Sequence, residues 1–257
     1  VDLVVHMDVE GLKQTQLWKH VSEQSTGLDF DIDELDEVRD ELGIDPLTDV
    51  RAITLYKVES EEDPTVVLFS STSKVDEALV KHQKEHGYRR VMSRGIELHS
   101  WSDDDDDDER MFAYIHAAGE ERVVVLASNE QSAVRAARVL RGEDPSHASA
   151  GVLLTLAPAK GSFLYLAASE IPHLDEFTPA SKSKVFGLAQ GIQVDLGEAG
   201  GFLRGHMGVN TASSEDALNI SGVLNGLISF ARLAGSEMGE LLELLTGVRL
   251  NTRGSEV

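Results

Sequence analysis

Apolar and polar positions divide the chain into short strands and amphipathic helices. Residues 2–8 read D-L-V-V-H-M-D, an apolar run bounded by acids, which predicts a largely buried strand. Residues 10–23 then carry Leu12, Leu17, Trp18 and Val21 near one helical face. A second helix is predicted over 31–42, where Ile32, Leu35, Val38 and Leu42 recur at helical spacing. Acids fill its first turn, where the helix dipole favours them, and Gly43 and Pro46 end it.

Residues 51–58 and 65–70 predict two strands joined by a polar hairpin loop. Residues 73–86 predict a helix, with Ser73 placed three residues before Asp76 in a capping-box arrangement and Gly87 at its end. Four short strands follow at 88–92, 96–101, 111–116 and 122–127, a meander that should pair antiparallel. Ser128 is the expected N-cap of a helix over 129–141, whose apolar stripe is Val134, Ala137 and Leu140.

Beyond a polar link at 142–149, a strand is predicted at 160–168 and a helix at 180–189. A hairpin follows at 191–196 and 201–210, then a long apolar helical region over 215–245 capped by Ser213 or Ser214, broken near Gly235 and Ser236. That region reads either as a central core helix or as one offering a face to a partner. The last strand is expected at 248–257. The order strand, helix, hairpin, helix occurs twice at a period of about 155 residues. The expected fold is therefore α+β: mainly antiparallel sheets with helices packed on one face, two β-α-β-β-α units and a central meander. The expected division is an acidic unit at 1–142 containing the meander 88–127, and a second unit at 150–257 packed with it.

Charge changes the picture most. The net charge is −22, from 23 basic and 45 acidic side chains. Residues 1–150 hold 34 acids and 16 bases, so the acidic character belongs mainly to the first part. Such a surface repels nucleic-acid phosphates and anionic lipid, and its natural complements are cations or a basic protein partner. With no cysteine, disulfides, thiolate metal sites and a Cys nucleophile are excluded. No stretch reaches the roughly 18–20 apolar residues of a membrane-spanning helix, so no integral membrane segment is expected. The chain opens at Val1 directly into a strand, which suits a mature form whose leader has been removed.

Asp103, Asp104, Asp105, Asp106, Asp107, Asp108 and Glu109 form an unbroken acidic run between two predicted strands. Seven like charges cannot share a core, so the run reads as a solvated hairpin tip, or as a weak site for Ca²⁺. Dedicated Ca²⁺ loops space their ligands and turn on Gly, and neither feature is present here. Asp29, Asp31 and Asp33 begin as an EF-hand loop does, but Glu34 stands where Gly is needed. His82 and His86 are four apart on one helix, a spacing that can hold Zn²⁺, though Gln83 replaces the Glu of the zincin motif. His6 reads as a hydrogen-bonded strand residue. His99 with Trp101, and Tyr114 with His116, read as aromatic cross-strand pairs. There is no G-x-G-x-x-G following a strand, no P-loop and no G-x-S-x-G.

The segments D-L-V-V-H-M-D-V-E-G-L, G-I-D-P-L-T-D-V-R-A-I-T-L-Y and E-R-V-V-V-L-A-S-N-E-Q-S-A-V-R-A-A-R-V-L resemble exported bacterial proteins of unknown function built from strand–helix modules. The resemblance covers most of residues 1–141 and implies an extracytoplasmic location, periplasmic or secreted. It assigns no activity and no cofactor. The leading expectation is a non-enzymatic binding or scaffolding protein with a protein partner. The alternatives are a hydrolase whose site gathers residues such as His6, Asp8, His82 or His86, and a cation-responsive module using residues 103–109.

Overall fold

The computed structural model describes residues 3–24, 44–57, 65–84, 87–102, 110–145, 161–169, 186–233, 250–255 and 257. The helix expected at 31–42, the acidic run and the helical region beyond residue 233 lie outside them.

Ten strands form one hydrogen-bonded order, β10-β9-β8-β1-β2-β3-β7-β6-β5-β4. They are β1 (Leu3–Asp8), β2 (Val50–Lys57), β3 (Thr65–Ser71), β4 (Arg89–Ser93), β5 (Ile96–Ser102), β6 (Arg110–Ala118), β7 (Glu121–Ala127), β8 (Ser162–Ala168), β9 (Ala189–Ala199) and β10 (Phe202–Thr211). Every ladder from β1 across to β4 is antiparallel. Among the described residues five α-helices accompany them: α1 (Val9–Lys13), α2 (Gln16–Gln24), α3 (Lys74–His82), α4 (Glu130–Leu140) and α5 (Ser214–Leu233). The fold is the expected α+β class with a mainly antiparallel sheet. The chain divides into two compact units, one of Val1–Leu166 with Asp195–Gly205, the other of Ala167–Val194 with His206–Val257.

In the first unit, alternation along β7 separates two cores. Val125 and Ala127 belong to a cluster with Val66, Ile96 and Leu98 under the small buried face of α4 (Ala133, Val134, Ala136, Ala137). Val124 belongs to another, with Val9, Ile44, Val50, Val75 and Ala78 from α1, α3 and their approaches. Successive strand residues point to opposite sides, so helices cover both faces of this sheet rather than one. The short residues of α4 let its backbone come close to the strands. Val134, Ala137 and Leu140 form the stripe read from sequence.

Local signals decide the joints. Arg94 (φ 50°) and Gly95 (φ 80°) form the two-residue β4–β5 turn, both left-handed as a type I′ turn requires. Gly87, at φ 78°, lies so near Ser102 that a Cβ would meet its carbonyl oxygen at 2.8 Å. No other residue type fits there without movement.

The predicted helix over 10–23 is interrupted. The Gln14 and Thr15 amides close turns onto Gly11 and Leu12, and the Thr15 hydroxyl starts α2 by accepting from Trp18 N (3.0 Å). The cap of α4 is Asn129, not Ser128: its extended backbone and its Oδ1, accepting from Ser132 N at 2.8 Å, make the cap. Ser73 is helical and makes no side-chain cap, while Asp76 is drawn instead to Arg122 (2.8 Å).

In the second unit, Ser213 Oγ accepts from Asp216 N (3.1 Å) and caps α5. Ala217 and Ile220 are buried while Leu218 is exposed, so this part of α5 buries one face only. The last residues pair with β10 through reciprocal Val209–Val257 bonds (3.0 Å each) and Thr211 N to Ser255 O (2.9 Å). The strand expected at 248–257 is not formed over the described residues 250–255 and 257, which make only these isolated backbone bonds to β10.

Candidate functional site

Two places in the first unit offer themselves. One is a polar cleft of about 490 Å³ lined by Asp8, Glu10, Gly11, Gln14, Thr15, Gly161, Ser162 and Glu198. Two of its carboxylates, Asp8 and Glu198, have structural partners. Asp8 Oδ1 accepts from Gly11 N (2.7 Å) and caps α1. Glu198 Oε2 accepts from Gln16 N (2.7 Å) and Leu17 N (3.2 Å), the first amides of α2. Ser162 Oγ donates to the buried Asp195 (2.8 Å). Asp8, Glu198 and Asp195 each sit where N–H or O–H groups need an acceptor. Among the described residues, no histidine, lysine or arginine lines the cleft.

Of the described residues singled out for a hydrolase, Asp8 lines this cleft. His6 is not among the lining residues, and its Nδ1 bonds to Thr54 Oγ1 across β1–β2 (2.8 Å), as expected of a strand histidine. His82 ends α3, while His86 lies outside the described residues. Asp103 to Glu109 also lie outside them, between the register partners Ser102 and Arg110. Among the described residues, no three His, Asp or Glu side chains gather as a metal group.

The other place is one face of β4, β5 and β6. Register puts Met92 beside Glu97, Arg90 beside His99, and Trp101 beside Met111, all on one side. Tyr88 packs against this row, its ring 6.1 Å from that of His99 and 5.8 Å from that of Trp101. The His99 and Trp101 rings are themselves stacked at 6.3 Å. Polar bonds lock the row. Tyr88 Oη bonds to His99 Nδ1 (2.9 Å), Arg90 Nε donates to Tyr88 Oη (3.2 Å), and Arg90 pairs with Glu97 (3.3 Å).

Burial first, then the Arg90 charge, holds His99 below its ordinary pKa, with Glu97 opposing. A Tyr88 hydroxyl that accepts from Arg90 and donates to His99 suits a neutral imidazole protonated on Nε2. Around this fixed row two large apolar side chains stay in solvent: Met92 is 67% exposed and Met111 44%.

The aromatic pairs differ from the cross-strand reading. His99 and Trp101 are neighbours along one strand, β5, and Tyr114 and His116 along another, β6. They also face opposite sides, since Tyr114 packs against the core under α4. Sequence reasoning named His99 and Trp101 but missed Met92, Met111 and Tyr88 as their companions. Alternation was the available signal: E-L-H-S-W and R-V-M-S put these residues on one side once the Arg94–Gly95 turn fixes the register.

The structure thus defines an antiparallel α+β protein in which Met92 and Met111 stand exposed on the sheet face of a partly buried Tyr88–His99–Trp101 row. No family model matches the chain, and no curated protein matches it. Among solved structures it is similar to crystal forms III, IV and I of TP0453, a Treponema protein. Identities are 7%, 9% and 8%, over 99%, 81% and 99% of this chain and 86%, 76% and 85% of the other. The TM-scores are 0.49, 0.42 and 0.39. A likeness at that level leaves activity and partners to be argued from this chain's own residues.

Proposed function

We propose that this chain is an exported, non-enzymatic binding protein that holds a protein partner on the β4–β6 face. One observation carries the reading: Met92 and Met111 stand exposed on the face where Tyr88, His99 and Trp101 stack, with Tyr88 bonded to His99 and Arg90. An ordered apolar patch in water is unfavourable to keep and is characteristic of contact surfaces. Trp and Tyr anchor interfaces, and methionine adapts its shape to what lands on it. In the cleft, Asp8 and Glu198 are taken up by the first amides of α1 and α2, and Ser162 by Asp195, so these groups serve the fold. Export rests on the resemblance of residues 1–141 to exported bacterial proteins.

The test is selection from a random peptide library on the intact chain, with counter-selection on the Met92→Ser/Met111→Ser double variant. Enriched peptides that bind the first and not the second support a binding face at these strands. Failure to enrich any such peptide overturns the reading.

A further inference from the structure

We propose that Met92 is a modification site: of the described methionines, it is the one that hydroperoxides convert first to the sulfoxide, and the change makes the β4–β6 face more polar while leaving the core intact. The inference stands on exposure and register and needs no partner, so it is independent of the binding reading above.

Exposure separates the methionines. The sequence holds five, and Met7, Met92, Met111 and Met207 lie in the described residues. Met92 is 67% exposed, Met207 48% and Met111 44%. Met7, on β1, is partly buried and packs against the core that holds Val9 and Val124. Register sharpens the difference on the face itself. Met111 stands beside Trp101, whereas Met92 stands beside Glu97 on the outermost strand of the sheet. A large ring opposite a thioether screens it from an approaching oxidant. A carboxylate already engaged by Arg90 does so far less.

The step is a two-electron oxygen transfer. A sulfur lone pair attacks the outer oxygen of a neutral hydroperoxide, and the O–O bond breaks as the S–O bond forms. The proton of the transferred hydroxyl passes through water to the departing oxygen. Methionine is oxidised to the sulfoxide, and the hydroperoxide is reduced to water or an alcohol. The product is polar and chiral, and its oxygen accepts hydrogen bonds. Arg90, two residues back on β4, carries donors to the same side of the sheet. Ile96 and Leu98, on the other side, are 1% and 0% exposed, so the core is out of the oxidant's reach. The face thereby has two chemical states on one unchanged fold.

The test is a timed exposure of the full chain to hydrogen peroxide at neutral pH, folded and in urea, quenched with catalase and read by peptide mapping with mass spectrometry. In the folded chain Met92 sulfoxide should form about twofold or more faster than that of Met111 or Met207, and about tenfold faster than that of Met7. In urea the four rates should converge. Chains oxidised mainly at Met92 should keep the circular dichroism and the urea midpoint of the parent. Met92→Leu should remove the leading sulfoxide of the four and leave the other rates unchanged.

Met92 reacting no faster than Met111 and Met207 overturns the site. The same ranking in urea assigns it to local sequence and overturns its origin in the fold. A chain that unfolds once Met92 is oxidised overturns a change confined to the face.

Discussion

Strands β4, β5 and β6 show two faces made by alternate residues of the same segments. On one side Ile96 and Leu98 are 1% and 0% exposed, packed with Phe112 beneath α4. On the other, Met92 and Met111 stand in solvent around the Tyr88–His99–Trp101 row. Backbone, register and neighbours are shared, so the difference lies in what covers each side. The covered face works for stability. The bare face adds little to it and is free to serve a partner.

The contrast breaks most sharply at Leu98. Truncation to Ala beneath α4 removes fully buried methyl groups and leaves a cavity, and should cost about 3 kcal/mol. Met92→Ser, six residues away in sequence and on the other side, should stay within about 0.5 kcal/mol. Urea unfolding of the two variants measures both. Comparable losses would mean that the bare face is as load-sharing as the covered one, and the division of labour would fall.

A smaller effect sharpens the same contrast at the cover itself. Asn129 fixes the start of α4 by accepting from Ser132 N. Asn129→Ala should cost about 1 kcal/mol, and Ser128→Ala clearly less. A larger loss at Ser128 would return the cap to the residue expected from the sequence and leave the observed Asn129 bond without weight.

That displaced cap typifies what the sequence made legible. Strand positions and the antiparallel meander follow from period-2 alternation and from turn chemistry such as Arg94–Gly95, which are local signals. Helix-start details are less legible, because Ser128 and Asn129 both have capping side chains and only backbone geometry chooses between them. Ser73 and Asp76 had the spacing of a capping box, yet Arg122, 46 residues away, captured the carboxylate. Covering helices on both sides of the sheet were hidden too. An apolar run such as V-V-V-L-A in β7 reads as buried without saying that Val124 and Val125 enter different cores. The bare face was legible only as isolated residues, since Tyr88, Met92, His99, Trp101 and Met111 become a site only when three strands align.

His99 supplies the most delicate test, because it belongs to the bare face yet is partly buried. Burial and the Arg90 charge lower its folded pKa beneath the ordinary 6.5, against the pull of Glu97. The unfolded chain, with an ordinary imidazole, therefore takes up its proton first as the pH falls. The contribution of neutral His99 is complete above about pH 6.5 and declines as the pH drops toward the folded value. Protonation would also remove the Nδ1 acceptor from Tyr88 and place a second positive charge beside Arg90. Urea midpoints of the parent and of His99→Phe, compared at about pH 7.5 and about pH 5.5, isolate this group, since other acid-titrating residues are common to both. The parent should lose more stability on acidification than the variant, by an amount small beside that of Leu98→Ala. An NMR titration of the His99 ring should place its midpoint below 6.5. Equal acid sensitivity in the two proteins, or a midpoint at or above 6.5, would mean that the aromatic row is loosely hydrated rather than locked, and the bare face would lose the rigidity that sets it apart from ordinary surface.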